Sequence, residues 1–163
     1  MNLSHSQLPP GNECTQHCIL KPALSEHLLE QMLASDNLRM AWKRVKANKG
    51  KPGIDGESIE DFPAYLTLHW EGIHQQLRDG TYQPSPVRRI RIPKPDGGER
   101  LLGIPTVMDR VIQQAILQVL TPIFDPTFSD NSYAFRPGCN AGQAVKCLQS
   151  SIKTGYKIAV DVD

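Results

Sequence analysis

The 163-residue sequence contains no run approaching the roughly 18 apolar residues that cross a bilayer, so no helical membrane span is expected. The first residues, Met1 to Glu13, have neither a basic start nor an apolar stretch, which argues against a secretory signal and for a cytoplasmic protein. Cysteine is scarce, with Cys14, Cys18, Cys139 and Cys147 only. Cys14-Thr-Gln-His17-Cys18 could supply half a zinc site, but no second pair follows at ligand spacing, so free thiols are expected. Charge of one sign is also missing. The 18 basic and 17 acidic residues leave a net charge of +1, which selects no class of partner. Aromatics make up 6% and apolar residues 39%, the composition of a globular α+β piece rather than of a disordered or membrane chain.

The distribution of charge says more than its sum. Arg39, Lys43, Arg44, Lys46, Lys49 and Lys51 form a stretch with no acidic residue. Arg88, Arg89, Arg91, Lys94 and Arg100 form a second, interrupted by Asp96 and Glu99. Each can be a solvated face, and each can be a footprint on a phosphate backbone.

Periodicity places the elements. Residues 1–22 lack apolar periodicity and read as a leader. Ser25 can cap a helix ending near Ala34, and Asp36 a second through Asn48, which Gly50, Pro52 and Gly53 would end. A third helix is expected from about Pro63 to Arg78, closed by Asp79-Gly80. Arg89-Ile90-Arg91-Ile92 alternates like a strand, with isoleucines on one face and arginines on the other. Pro95-Asp96-Gly97-Gly98 is a turn signal, and Arg100 to Ile104 can return antiparallel. Thr106 and Asp109 look like a capping box for a helix whose stripe runs from Met108 to Ile123. An irregular segment from Pro122 to Gly138 precedes a helix opened by Asn140 and Gln143 and reaching about Lys153. A β-rich run, Tyr156 to Asp163, ends on two acids, and a strand without a following turn suggests a piece of a longer protein.

Five segments go beyond pattern. They are Ala41-Trp-Lys-Arg-Val-Lys-Ala-Asn-Lys-Gly50 with Gly53-Ile-Asp-Gly56, then Ile92-Pro-Lys-Pro-Asp-Gly-Gly-Glu-Arg-Leu-Leu-Gly-Ile-Pro105, then Asp109-Arg-Val-Ile-Gln-Gln-Ala-Ile116, then Asp130-Asn-Ser-Tyr-Ala-Phe-Arg-Pro137, and last Val160-Asp-Val-Asp163. In this order they resemble group II intron reverse transcriptases, also called maturases, from about Leu28 to Asp163. The resemblance implies an incomplete right-hand polymerase fold. It divides the chain into a leader (1–22), an N-terminal helical region (23–80), fingers (81–155) and the first palm strand (156–163). It implies RNA-directed DNA synthesis by the parent protein, with template and intron RNA, a DNA primer and deoxynucleoside triphosphates as partners and no membrane.

The family's roles transfer by position. Asp163 matches the first catalytic, metal-holding carboxylate, with Asp161 a secondary metal ligand, and the implied cofactor is Mg2+. Lys94 and Arg100 match the triphosphate-binding positions. Arg39, Lys43, Arg44, Lys46, Lys49, Arg88, Arg89, Arg91 and Arg136 are the candidates for RNA contact. Tyr133 and Phe135 are possible nucleotide neighbours, whereas Trp42 reads as core. The family usually has Gly where Ala134 stands, which matters if that position needs a positive φ. No aromatic-Ala-Asp-Asp motif occurs in the sequence, so these residues alone are expected to be inactive. A different reading makes the same piece a non-catalytic, intron-RNA-binding maturase fragment that aids splicing.

Overall fold

A computed structural model describes residues 27–158 and 160. The leader, Cys14, Cys18, Asp161 and Asp163 therefore lie outside the described residues. Five helices and one hairpin follow in order: α1 (Leu28–Leu33), α2 (Ser35–Ala47), α3 (Phe62–Arg78), β1 (Arg88–Pro93), β2 (Glu99–Ile104), α4 (Val107–Phe124) and α5 (Ala141–Lys153). The mixture is α+β, with a two-stranded antiparallel sheet.

The core forms where α1, α2 and α3 meet the first half of α4. Met32, Leu33, Ala41, Val45, Phe62, Val107, Met108, Val111, Ile112 and Ala115 are buried there, joined by Ile59 from the connector. Phe62 is 1% exposed and packs on Trp42 at 4.8 Å between ring centroids. Trp42 is thus a core side chain, as its place in the apolar pattern predicts. Leu66, Trp70, Ile73 and Leu77 of α3 pack half-buried against the same cluster. Polar ties close the corner between α1 and α2. Asn37 Nδ2 donates to the Met32 and Ala115 carbonyls, and Gln118 Nε2 donates to Asn37 O and Oδ1.

Several boundaries differ from the sequence expectation. Asp36 does not cap α2; the helix starts at Ser35 with Ala34 as its N-cap, and Asp36 sits in the first turn, where a carboxylate meets the positive end of the helix dipole. The residue that leaves α2 in the left-handed region is Lys49, at φ 47, rather than one of the glycines after it. Helix α4 runs through Pro122 to Phe124, because a proline in the last turn removes only one hydrogen bond. A 3-10 turn, Asp125–Thr127, follows. The strand expected over 156–163 is absent where residues are described: 156–158 and 160 form no ladder, and Tyr156, Ile158 and Val160 are exposed. A strand needs a neighbour to satisfy its backbone groups, and none is beside it among the described residues.

Other expectations hold. Thr106 caps α4, its hydroxyl accepting from the Asp109 amide at 3.1 Å. Asn140 and Gln143 form a reciprocal capping box at α5. Cys139 and Cys147 are free thiols. No helix among the described residues is long and apolar enough to cross a membrane.

Candidate functional site

The hairpin's register sets which side chains share a face. Ile90 pairs with Leu102 and Ile92 with Arg100, while Arg89 pairs with Gly103 and Arg91 with Leu101. Directly opposed residues in an antiparallel ladder project to the same side. Arg100 therefore shares the face of Ile90, Ile92 and Leu102, and so does Arg88, opposite Ile104. The expected division of Arg89 and Arg91 from Ile90 and Ile92 holds, and Arg88 and Arg100 lie on the isoleucine face.

The Lys94 amide donates to Gly98 O at 3.0 Å and its carbonyl accepts from Gly97 N at 3.2 Å, so Lys94 opens the turn just past the last ladder pair, Pro93 with Glu99. Lys94 and Arg100 thus each lie one residue from that last pair, at the tip end of the hairpin. Gly97 and Gly98 turn the chain at φ 85 and 87, conformations that a side chain would strain. Lys94 and Arg100 are exposed, and neither is in an ion pair among the described residues. On the opposite face Arg91 is already engaged, its Nη1 3.1 Å from Glu99 Oε2, in an exposed pair. Arg89 is exposed. Arg88 Nη1 lies 3.5 Å from the Pro52 carbonyl, too far to hold it firmly.

The basic stretch on α2 divides in the same way. Helical spacing puts Arg39, Lys43 and Lys46 in one row and turns Arg44 to the other flank. All four are exposed, as are Lys49 and Lys51 beyond the helix. Arg39 pairs with Asp36 at 3.1 Å, leaving Lys43 and Lys46 as the unpaired cations of that row among the described residues.

Arg136 does something other than expected. Its Nε donates to Asp125 Oδ1 at 2.9 Å, Nη1 to the Ser129 and Ser132 carbonyls, and Nη2 to Asp125 O and Oδ2. Every N–H of the guanidinium is thus occupied inside the chain. The side chain is 14% exposed and lies over Phe128 at 5.6 Å. Its geometry is that of a knot tying the loop after α4, not of a group offered to a phosphate. The Asp125 hydrogen bond pushes its pKa further up. Within the same loop Ala134 has an ordinary φ, and the left-handed residue is Phe135, at φ 58, with its ring fully exposed. The alanine in place of the family's glycine thus carries no backbone strain. Tyr133 is half-buried, and its neighbour Cys147 pushes its phenol above the ordinary pKa.

A residue that sequence reasoning left as a mere helix cap lies at the base of the hairpin. Asp109 is 3% exposed, and its carboxylate accepts from Tyr82 Oη at 2.7 Å, Ser85 N at 3.1 Å and Thr106 Oγ1 at 2.7 Å. Only the Thr106 bond is local enough to read from spacing. Burial first, and then the hydrogen bond to Asp109, push the Tyr82 phenol well above its ordinary range. A folded-state pKa above the unfolded value stabilises fully below about pH 10 and loses that stabilisation as pH climbs through the folded value. Urea midpoints measured between about pH 8 and about pH 11 should therefore fall, and fall less steeply in Tyr82→Phe. Equal slopes in both proteins would show that Tyr82 ionises as in the unfolded chain.

Residues 92–163 match the reverse transcriptase (RNA-dependent DNA polymerase) family. The chain is 34% identical over 126 residues to protein YkfC of Escherichia coli, covering 76% of this chain and 33% of that protein. It is 36% identical over 125 residues to the group II intron-encoded protein LtrA of Lactococcus lactis, covering 75% of this chain and 20% of LtrA. It is 36% identical over 52 residues to nuclear intron maturase 1 of Arabidopsis thaliana, 32% of this chain and 7% of that one. The chain thus spans a third or less of the length of these relatives. The shared stretch includes the hairpin tip, α4, the Arg136 loop and α5, and with these relatives it shows that the chain belongs to the reverse transcriptase family of group II intron-encoded proteins and maturases.

Proposed function

We propose that this segment is the fingers and upper palm of an RNA-directed DNA polymerase, binding template RNA and the incoming deoxynucleoside triphosphate. The observation that carries the reading is the pair Lys94 and Arg100. Both lie within one residue of the last ladder pair at the hairpin tip, with no ion pair among the described residues to satisfy them. An ammonium and a guanidinium at one hairpin tip suit a polyphosphate, which offers several acceptor oxygens. Arg89 and the row of Lys43 and Lys46 are assigned to RNA phosphates, with Arg39, Arg44, Lys49, Arg88 and Arg91 contributing charge around them. Asp163, with Asp161 beside it, is assigned to a divalent cation, Mg2+, which would polarise the reacting phosphate. That assignment rests on the motif, since both carboxylates lie outside the described residues.

RNA binding tests the reading directly. The 163-residue chain should bind single-stranded RNA weakly, without sequence preference, and with affinity falling as salt rises. Lys43→Gln with Lys46→Gln should lower the slope of log K against log salt by about 0.7–0.9 for each phosphate no longer neutralised, and Arg44→Gln by less. An unchanged slope in the double variant removes α2 from the interface. Primer extension on an RNA template is the second test: a full-length protein carrying this segment should incorporate deoxynucleotides, and the 163 residues alone should not. Incorporation by the segment alone would overturn the assignment of its missing carboxylates to a later motif.

A further inference from the structure

The hairpin is joined to the rest of the protein by two backbone roots. One is the connector after α3, entering β1; the other is the short link from β2 into α4. Both converge on one carboxylate. Asp109 Oδ2 accepts from the Ser85 amide on the entering root and from the Thr106 hydroxyl on the leaving root, and Oδ1 accepts from Tyr82 on the entering root. Ser85 and Tyr82 lie 24 and 27 residues from Asp109, so these are tertiary ties, not local turns. The leaving root has a second support. Gly53 packs so closely that a Cβ there would stand 2.7 Å from Thr106 Cα, and Arg110 Nη2 holds the neighbouring Lys51 carbonyl at 2.9 Å.

We infer that Asp109 is a positioning residue: by clasping both roots of the hairpin it fixes the direction in which Lys94 and Arg100 are held relative to the body of the protein. The inference rests on the reading of those two side chains as triphosphate ligands for its functional consequence, though not for its structural one. The physical argument is one of leverage and desolvation. Among the described residues this two-stranded hairpin has no sheet neighbours to brace it, so its orientation depends on what holds its base. A buried carboxylate with three donors is a strong and directional brace, because its charge would otherwise be buried unpaired and the buried Thr106 hydroxyl would lose its acceptor. Asp109→Ala leaves all three donors without an acceptor. Asp109→Asn keeps one carbonyl oxygen for Ser85 and Thr106, and its amide can donate to the Tyr82 oxygen, which accepts as well as donates. The asparagine variant should therefore preserve the clasp.

The test has two arms. In the 163-residue chain, with Cys14, Cys18, Cys139 and Cys147 replaced by serine, spin labels go on Asp96→Cys at the tip and on Gln113→Cys, an exposed position of α4. Pulsed electron paramagnetic resonance should give one narrow distance, which broadens or shifts in Asp109→Ala while helical circular dichroism is retained, and which Asp109→Asn restores. A narrow, unmoved distance in folded Asp109→Ala overturns the inference, as does a broad distribution before any substitution. Should the alanine variant not fold, Tyr82→Phe decides, since it loosens the entering root alone: an unmoved narrow distance overturns the inference and a changed one supports it. In the second arm, a full-length protein carrying Asp109→Ala should show KM for deoxynucleotide raised about tenfold or more, with kcat and template affinity nearly kept and Asp109→Asn restoring KM. A changed distance with unchanged KM would sustain the clasp and overturn the triphosphate reading of Lys94 and Arg100.

Discussion

In a full-length protein carrying this segment, Lys94→Ala and Arg100→Ala should each lower kcat/KM for deoxynucleotide by about ten- to a hundredfold, with little effect on template affinity. The size follows from removing one charge-assisted hydrogen bond, about 1.5–3 kcal/mol. The two are not redundant. A guanidinium offers a planar fork to two phosphate oxygens, and an ammonium offers a compact point charge, so Arg100→Lys should recover only part of the activity. The register adds a control that spacing alone did not supply. Arg91 sits on the opposite face and is paired with Glu99, so Arg91→Ala should leave nucleotide kinetics near the starting value. Steady-state rates with deoxynucleotide varied at saturating template-primer decide the matter. Wild-type kcat/KM in both alanine variants would make the hairpin a structural or RNA-facing element.

Phe62→Ala should destabilise the chain by about 3–5 kcal/mol, a large share of the roughly 5–15 kcal/mol by which small domains are stable. Phe62 is 1% exposed, opens α3, and packs on Trp42 of α2 at 4.8 Å and on Tyr65 at 6.2 Å. Truncation would open a cavity where the start of α3 meets Trp42 of α2. Urea unfolding followed by Trp42 fluorescence reads it. Leu68→Ala, on the same helix but 79% exposed, should shift stability by less than about 0.5 kcal/mol. Equal effects at the two positions would place the core elsewhere.

Much of this was legible along the chain because it is local. Apolar residues three and four apart announced α4 and α3. Asn140 with Gln143, and Thr106 with Asp109, marked helix starts through bonds spanning three residues. Alternation and the turn at Gly97-Gly98 gave the hairpin. What failed was also physical. Ala34, the residue at the N-cap, carries no cap signal, so Asp36 drew the assignment that belongs to it. Arg136 reads from its motif as a cation for RNA, yet a carboxylate 11 residues away and three carbonyls absorb it.

The order of residues was enough for the helices, the hairpin and the family, because caps, turns and ordered motifs act over a few residues. It took the folded chain to separate the charges that are available from those that are spent. Register puts Arg100 opposite Ile92 and on the other face from Arg91, since a ladder pairs residues that spacing keeps separate. Folding brings Tyr82 and Ser85 to Asp109, because a buried carboxylate must find hydrogen-bond donors, however far away they lie in sequence.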